Sequence, residues 1–185
     1  SSQAPGFQKN PQRYVMVPAH AKNRLPLVHQ RDSQLRAYSN DCAINRLDEG
    51  SDNRIGFVTS GAAYNHVKEA FPCATILKLG LSHPAPVEQI QTLARKVDQL
   101  IVVEETEPLL ETELKAEGIP LLGKDILPAI GELLPPVLKR SISRWQSGEE
   151  PIRPVVKTEA AAKVFPRPPT MCVACPHLGV YYCLS

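Results

Sequence analysis

No run of eighteen apolar residues occurs in the 185-residue sequence, so no segment reads as a membrane-spanning helix. Nor does a basic then apolar leader open it. The two absences together give the expectation of a cytoplasmic protein with no membrane partner. Cysteine is scarce: five residues at irregular spacing make no disulfide framework and point to reduced thiols. Aromatic residues are 5% of the chain, and none is interleaved with Lys22, Arg24, Arg31 and Arg36, so no nucleic-acid partner is expected. No GxGxxG follows a strand-like run, which removes the dinucleotide-binding fingerprint. The stretch from Gly118 to Lys124 has the spacing of a phosphate-binding P-loop. Its next residue, however, is Asp125 where a magnesium-bound hydroxyl is needed, and the supposed cradle is an apolar run.

What is present is unevenly distributed. Residues 1–47 carry seven Lys or Arg against two acids, residues 48–118 six against twelve, and residues 119–185 eight against five. An acidic middle therefore lies between basic arms, as expected for solvated surface or for docking onto an acidic neighbour. Proline is abundant at 18 residues, and six of these fall between Pro151 and Pro176, where no core strand or helix would tolerate them. Four parts are expected: a basic N-terminal arm with one helix at 1–49, a folded domain at 50–147, a Pro-rich linker at 148–171, and the start of a further domain at 172–185.

Within 50–147 strand-like and helix-like patterns alternate. Apolar runs at 55–59, 75–79, 100–103 and 119–122 predict four strands, and that at 100–103 is apolar on both faces, as strands of parallel sheets are. Between them, Ala63, Val67, Ala70 and Phe71 recur at helical spacing, as do Val87, Ile90, Leu93, Ala94 and Val97. Pro108 and Gly118 bracket a third helix. A closing helix is expected over 131–145, interrupted by Pro135-Pro136. The fold class is α/β, a three-layer, mostly parallel sheet with extended N- and C-terminal arms.

Such a sheet gathers its β-to-α loops at one edge. Thr59, Ser60 and Gly61, Ser82 and His83, and Glu104 and Glu105 are therefore the candidates for a ligand site or domain interface. Hydroxyls and free amides at the helix opening near Gly61 suit an anion, His83 adds an imidazole, and the glutamates accept hydrogen bonds. The competing structural reading is that Ser60 caps one helix while Glu107 and its neighbours stabilise the positive end of the next.

Near the C-terminus stands Cys172-Val173-Ala174-Cys175-Pro176-His177. Two thiolates at this spacing can share one metal or iron-sulfur site, so Cys172 and Cys175 are the candidate metal ligands, although they supply half a set. Three readings stay open: cluster or metal ligation, two reduced thiols before a short apolar helix at 178–184, and a thioredoxin-like dithiol, for which too little sequence follows.

Several stretches resemble one family. Tyr14 to Ala19 (YVMVPA), Ile55 to Gly61 (IGFVTSG), Leu77 to Gly80 (LKLG), Leu100 to Glu105 (LIVVEE), Gly123 to Pro128 (GKDILP) and Arg167 to His177 are similar, in order, to the alpha subunit of indolepyruvate:ferredoxin oxidoreductases, which are thiamine-diphosphate 2-oxoacid oxidoreductases. The resemblance implies an internal fragment whose 50–147 part resembles the transketolase C-terminal domain and whose 172–185 part begins the thiamine diphosphate-binding domain. It implies a parent enzyme that oxidatively decarboxylates 2-oxoacids to acyl-CoA with thiamine diphosphate, magnesium and iron-sulfur clusters. The implied partners are the other domains of the subunit, a beta subunit, CoA and ferredoxin. The family's CPGCPHRG ending has Val173-Ala174 and Leu178 here, and no GDG diphosphate signature occurs, so no cofactor is expected on these residues themselves. The alternative expectation is a stand-alone α/β interaction module without catalysis.

Overall fold

The structure, a computed structural model, describes residues 6–152 and 177–184. It divides into two compact units, Ser1–Pro154 and Val155–Ser185.

In the first unit, two helices, α1 (Pro11–Tyr14) and α2 (Pro18–Asp41), precede an alternation of β1 (Arg46–Asp48), β2 (Asp52–Ser60), α3 (Ala63–Ala70), β3 (Ala74–Leu79), α4 (Val87–Lys96), β4 (Gln99–Val103), α5 (Leu109–Ala116) and α6 (Pro135–Gln146). The strand order is β1-β3-β2-β4. The central strand β2 pairs parallel with β3 and β4, while β1 runs antiparallel along β3. The fold is thus α/β, with two of three pairings parallel.

The residues explain the layering. Phe57, Ile76, Ile101 and Val103 face one side, where they pack with Val67 of α3 and with Leu138 and Ile142 of α6. Val58, Leu77, Leu100 and Val102 face the other, against Ile90 and Leu93 of α4 and Leu110 and Leu114 of α5. Helices cover both faces, so β4 is buried throughout residues 100–103, as its doubly apolar sequence requires. Each such large side chain contributes about 1.5–3 kcal/mol on burial.

Two elements differ from the sequence pattern. The expected strand at 119–122 is reduced to one parallel bridge, Ile101 to Leu122. The amide of Leu122 donates to the carbonyl of Leu100 at 3.0 Å, and that of Val102 to Leu122 at 2.8 Å. Pro120 has no N–H to extend the ladder, and the Ile119 amide turns back to Leu114 at 3.1 Å. The closing helix is not interrupted by Pro135-Pro136 but begins there, because its first turn has no use for proline's missing N–H.

The N-terminal segment joins this unit at its end. Ser39, fully buried in the last turns of α2, donates from its hydroxyl to the Pro84 carbonyl at 2.6 Å. The Asn45 side chain donates to the Ser39 carbonyl at 2.9 Å and accepts from the amides of Gly80 and Leu81, both at 2.9 Å. Asn40 accepts from the Glu88 amide at 3.1 Å. The loop between β3 and α4 is therefore clamped by α2 and by Asn45, just before β1.

In the second unit the described element is α7 (His177–Leu184), which carries exposed Val180, Tyr181, Tyr182 and Leu184. Cys172 and Cys175 lie outside the described residues.

Candidate functional site

At the carboxyl edge of β2 and β4 lies a cleft of about 640 Å³, lined by the turn after β2, the loop before α4 and the loop before α5. Its position follows from topology. From β2 the chain crosses to β3 on one side, and from β4 it continues to the bridged segment on the other. The two connections diverge and leave a crevice, as they do at the switch point of any doubly wound sheet.

The three loops bring Ser60, Gly61, Ser82, His83, Glu104 and Glu105 together. Gly61 takes φ +58°, the left-handed conformation in which glycine carries no penalty, and turns β2 into α3. No side chain caps α3, whose N-cap position is Ala62, so Ser60 does not play the capping role, and Gly61, Ala62 and Ala63 at the helix opening line the cleft. Thr59 is apart from the others. It is 0% exposed, and its hydroxyl has no hydrogen-bond partner.

Glu104 does what the competing reading assigned to its neighbours. Its two carboxylate oxygens accept the amides of Leu110 and Glu111, both at 2.9 Å, and so cap α5. Glu105 accepts the Leu133 amide at 3.4 Å, reaching across to the approach of α6. His83, with its side chain 75% exposed, has Nδ1 3.4 Å from Oε2 of Glu113. Glu113 also accepts the Ala85 amide at 3.4 Å and lies 4.0 Å from Arg36 of α2.

Lys124 and Glu111, which sequence reasoning missed, brace the loop behind the cleft. The ammonium of Lys124 donates to the Glu104 carbonyl at 2.6 Å and to that of Pro128 at 3.4 Å, propping the loop between β4 and α5 from beneath. Burial lowers its pKa, against the raising influence of Glu104 and Glu111. Glu111, 4% exposed, accepts the Lys124 amide at 2.8 Å and the Lys115 ammonium at 2.7 Å. A β-carbon at Gly123 would stand 2.2 Å from the Glu111 carboxylate, so a larger residue there would displace that carboxylate. The available signal was a glutamate at an inward helical position beside Leu110 and Leu114.

Four glutamates, 104, 105, 107 and 113, line the cleft, with no lysine or arginine among its lining residues. The chemistry is that of hydrogen-bond acceptors beside the opening of a helix and two serines. It suits a neutral ligand bearing amides or hydroxyls and opposes phosphate. Among the described residues no serine or cysteine is hydrogen-bonded to His83, whose partner is Glu113. Nor do three metal-ligating side chains converge anywhere among them, and none of their helices is long and apolar enough to cross a membrane.

Comparison with known proteins places this architecture. No family model matches the sequence. The chain is 32% identical to indolepyruvate oxidoreductase subunit IorA of Thermococcus kodakarensis over 96% of its own length. It is 33% identical to the subunit of the same name from Methanothermobacter thermautotrophicus over 95%. It spans about 30% of the length of these curated relatives. Among solved structures, a chain of 2-oxoglutarate:ferredoxin oxidoreductase from Magnetococcus marinus, with 2-oxoglutarate, coenzyme A and succinyl-CoA bound, shares the fold. The TM-score is 0.51 at 19% identity, covering 69% of this chain and 23% of that one. The resemblance read in the motifs thus extends over nearly the whole sequence.

Proposed function

We propose that this chain is a middle domain, of the transketolase C-terminal kind, from the alpha subunit of an indolepyruvate-type 2-oxoacid:ferredoxin oxidoreductase. Its role is to hold the cofactor-binding domains in place and to offer the carboxyl-edge cleft to CoA or to a neighbouring domain. The observation that carries the reading is the similarity, over 95–96% of the chain, to subunits of that enzyme. The fold held in common with a 2-oxoacid:ferredoxin oxidoreductase chain supports it.

In the parent enzyme the 2-oxoacid loses its carboxylate as CO2, the acyl group passes to the CoA thiol, and two electrons pass to ferredoxin. Thiamine diphosphate, magnesium and iron-sulfur clusters supply that chemistry, in a cytoplasmic assembly with a beta subunit. The cleft does not fit thiamine diphosphate, because four glutamates and no lysine or arginine line it and, among the described residues, no metal-ligating trio forms. For CoA, the match is with the amide- and hydroxyl-bearing pantetheine arm. The helix amides and serines would donate to its carbonyls, and Glu105 and Glu107 would accept from its N–H groups.

The test replaces the matching segment of the Thermococcus kodakarensis subunit with this chain. Assembly and 2-oxoacid-dependent ferredoxin reduction by the chimera support the reading, whereas a folded chimera that does neither overturns it. The 185-residue chain alone, given thiamine diphosphate, magnesium and CoA, should not turn over indolepyruvate. Turnover would contradict a domain-organising role.

A further inference from the structure

Outside the cleft, on the α3 side of the sheet, two cations flank one tyrosine and a third follows it on the same helix. Arg46 and Lys78 stand directly opposite each other on antiparallel β1 and β3. Directly opposed like charges on a sheet face destabilise it. Both reach the Tyr64 ring, with the Lys78 ammonium 4.7 Å and the Arg46 guanidinium carbon 5.6 Å from its centroid. Lys68 lies one turn further along α3.

One carboxylate, Asp48, faces Arg46 and Lys68, and it is already engaged. Asp48 pairs with Arg46 Nε at 2.8 Å and accepts the Tyr64 hydroxyl, which itself accepts from Arg46 Nη2 at 2.8 Å. The Asp48 carboxyl is held below its ordinary range by that hydroxyl first, then by Arg46 and Lys68. Among the described residues no carboxylate lies within ion-pairing distance of Lys68 or Lys78, and Arg46 Nη1 has no partner. Three cations against one carboxylate leave an excess of two positive charges at an edge that strand pairing holds in place.

We propose that Arg46, Lys68 and Lys78 form a binding site for a phosphate-class anion, floored by Tyr64 at the β1–β3 edge. The charge matches, since a phosphate monoester carries about −1.5 to −2 at neutral pH. The donors match as well: one open guanidinium nitrogen and two ammonium groups come from three different elements, two of them fixed in register. The anion relieves the like-charge pair, which the intramolecular partners leave half compensated. The inference does not depend on the CoA reading, because it needs only these cations. The anion's source is either free phosphate or the phosphate end of a nucleotide-type ligand.

The test is a titration of the ¹⁵N-labelled 185-residue chain with inorganic phosphate and, separately, with adenosine 3′,5′-bisphosphate, at ionic strength held constant with sodium chloride. Saturable amide shifts should localise to residues 46–48, 64–68 and 76–79. Lys78→Gln should weaken binding about tenfold, as expected for loss of a charge-assisted hydrogen bond, with a spectrum that stays dispersed. Lys68→Gln should weaken it less, and Lys96→Gln, on the opposite layer, should leave it unchanged. Equal affinity for the two probes assigns free phosphate, and preference for the bisphosphate assigns a nucleotide source. Shifts no larger than those from sodium chloride alone, or a Lys78→Gln affinity equal to the parent's, would overturn the proposal.

Discussion

Thr59 buries a hydroxyl that finds no partner, at the strand end beside the cleft. A buried, unsatisfied hydroxyl costs about 1–3 kcal/mol, so Thr59→Val should raise stability by about 1 kcal/mol in urea denaturation. A loss of stability would mean that the hydroxyl is satisfied in solution. Tyr64 presents the opposite case, a hydroxyl used twice. Tyr64→Phe removes the principal cause of the depressed Asp48 pKa and should cost about 1 kcal/mol at neutral pH. A depressed carboxylate contributes stability that is present above its unfolded pKa and lost as pH falls through the folded one. The gap between parent and Tyr64→Phe should therefore close as the pH drops below the ordinary aspartate range. A gap constant from neutral to strongly acidic pH would show that the ring's packing, not the carboxylate, carries the effect.

Among the elements, the loops around the cleft are held by a few polar side chains whose loss can be measured. Glu104 caps α5 through two amides, so Glu104→Ala should cost about 1 kcal/mol and speed hydrogen exchange at Leu110 and Glu111. Asn45 satisfies two amides of the β3–α4 loop and one carbonyl of α2. Asn45→Ala should cost about 2–3 kcal/mol, because buried groups are left unpaired, and should loosen residues 80–85 in exchange. Unchanged exchange there would show that the loop is held by other means. The parallel strands and the helices between them were legible because burial on both faces writes itself as apolar runs and helical spacing. β1 was not, since Arg46-Leu47-Asp48 is a short edge strand with one apolar residue and no alternation to read. The false strand at 119–122 had the right apolarity but contained Pro120, whose missing N–H is a ladder defect. Within the site, the loops were foreseeable from the order of strands and helices. The division of labour among their residues was not. That Glu104 caps, that Thr59 faces inward and that Lys124 props the loop all depend on backbone directions that spacing does not encode.

At the scale of the molecule, the acidic middle and the basic N-terminal arm meet in the same fold. Arg36 of α2 reaches Glu113, and Ser39 and Asn45 lock the end of that helix to the loop carrying Ser82 and His83. The sheet unit therefore begins before β1. Residues 6–38 carry exposed apolar side chains such as Tyr14, Val15, Met16, Leu25 and Leu27, whereas the segment from Ser39 through Gly148 contributes to both buried faces or to the polar clamps between them. Proteolysis proceeds where backbone opens at little cost, and opening any part of a clamped unit means breaking its buried contacts together. Limited digestion of the 185-residue chain should therefore converge on a fragment that begins within α2, upstream of Ser39, and ends soon after Gln146. Mass spectrometry of the resistant fragment decides this. A stable core starting at residue 50 would show that the α2 clamp opens freely in solution. Early cleavage between Leu77 and Val103 would show that the sheet itself does not form in the isolated chain, since β3, α4 and β4 can be reached only by dismantling both cores.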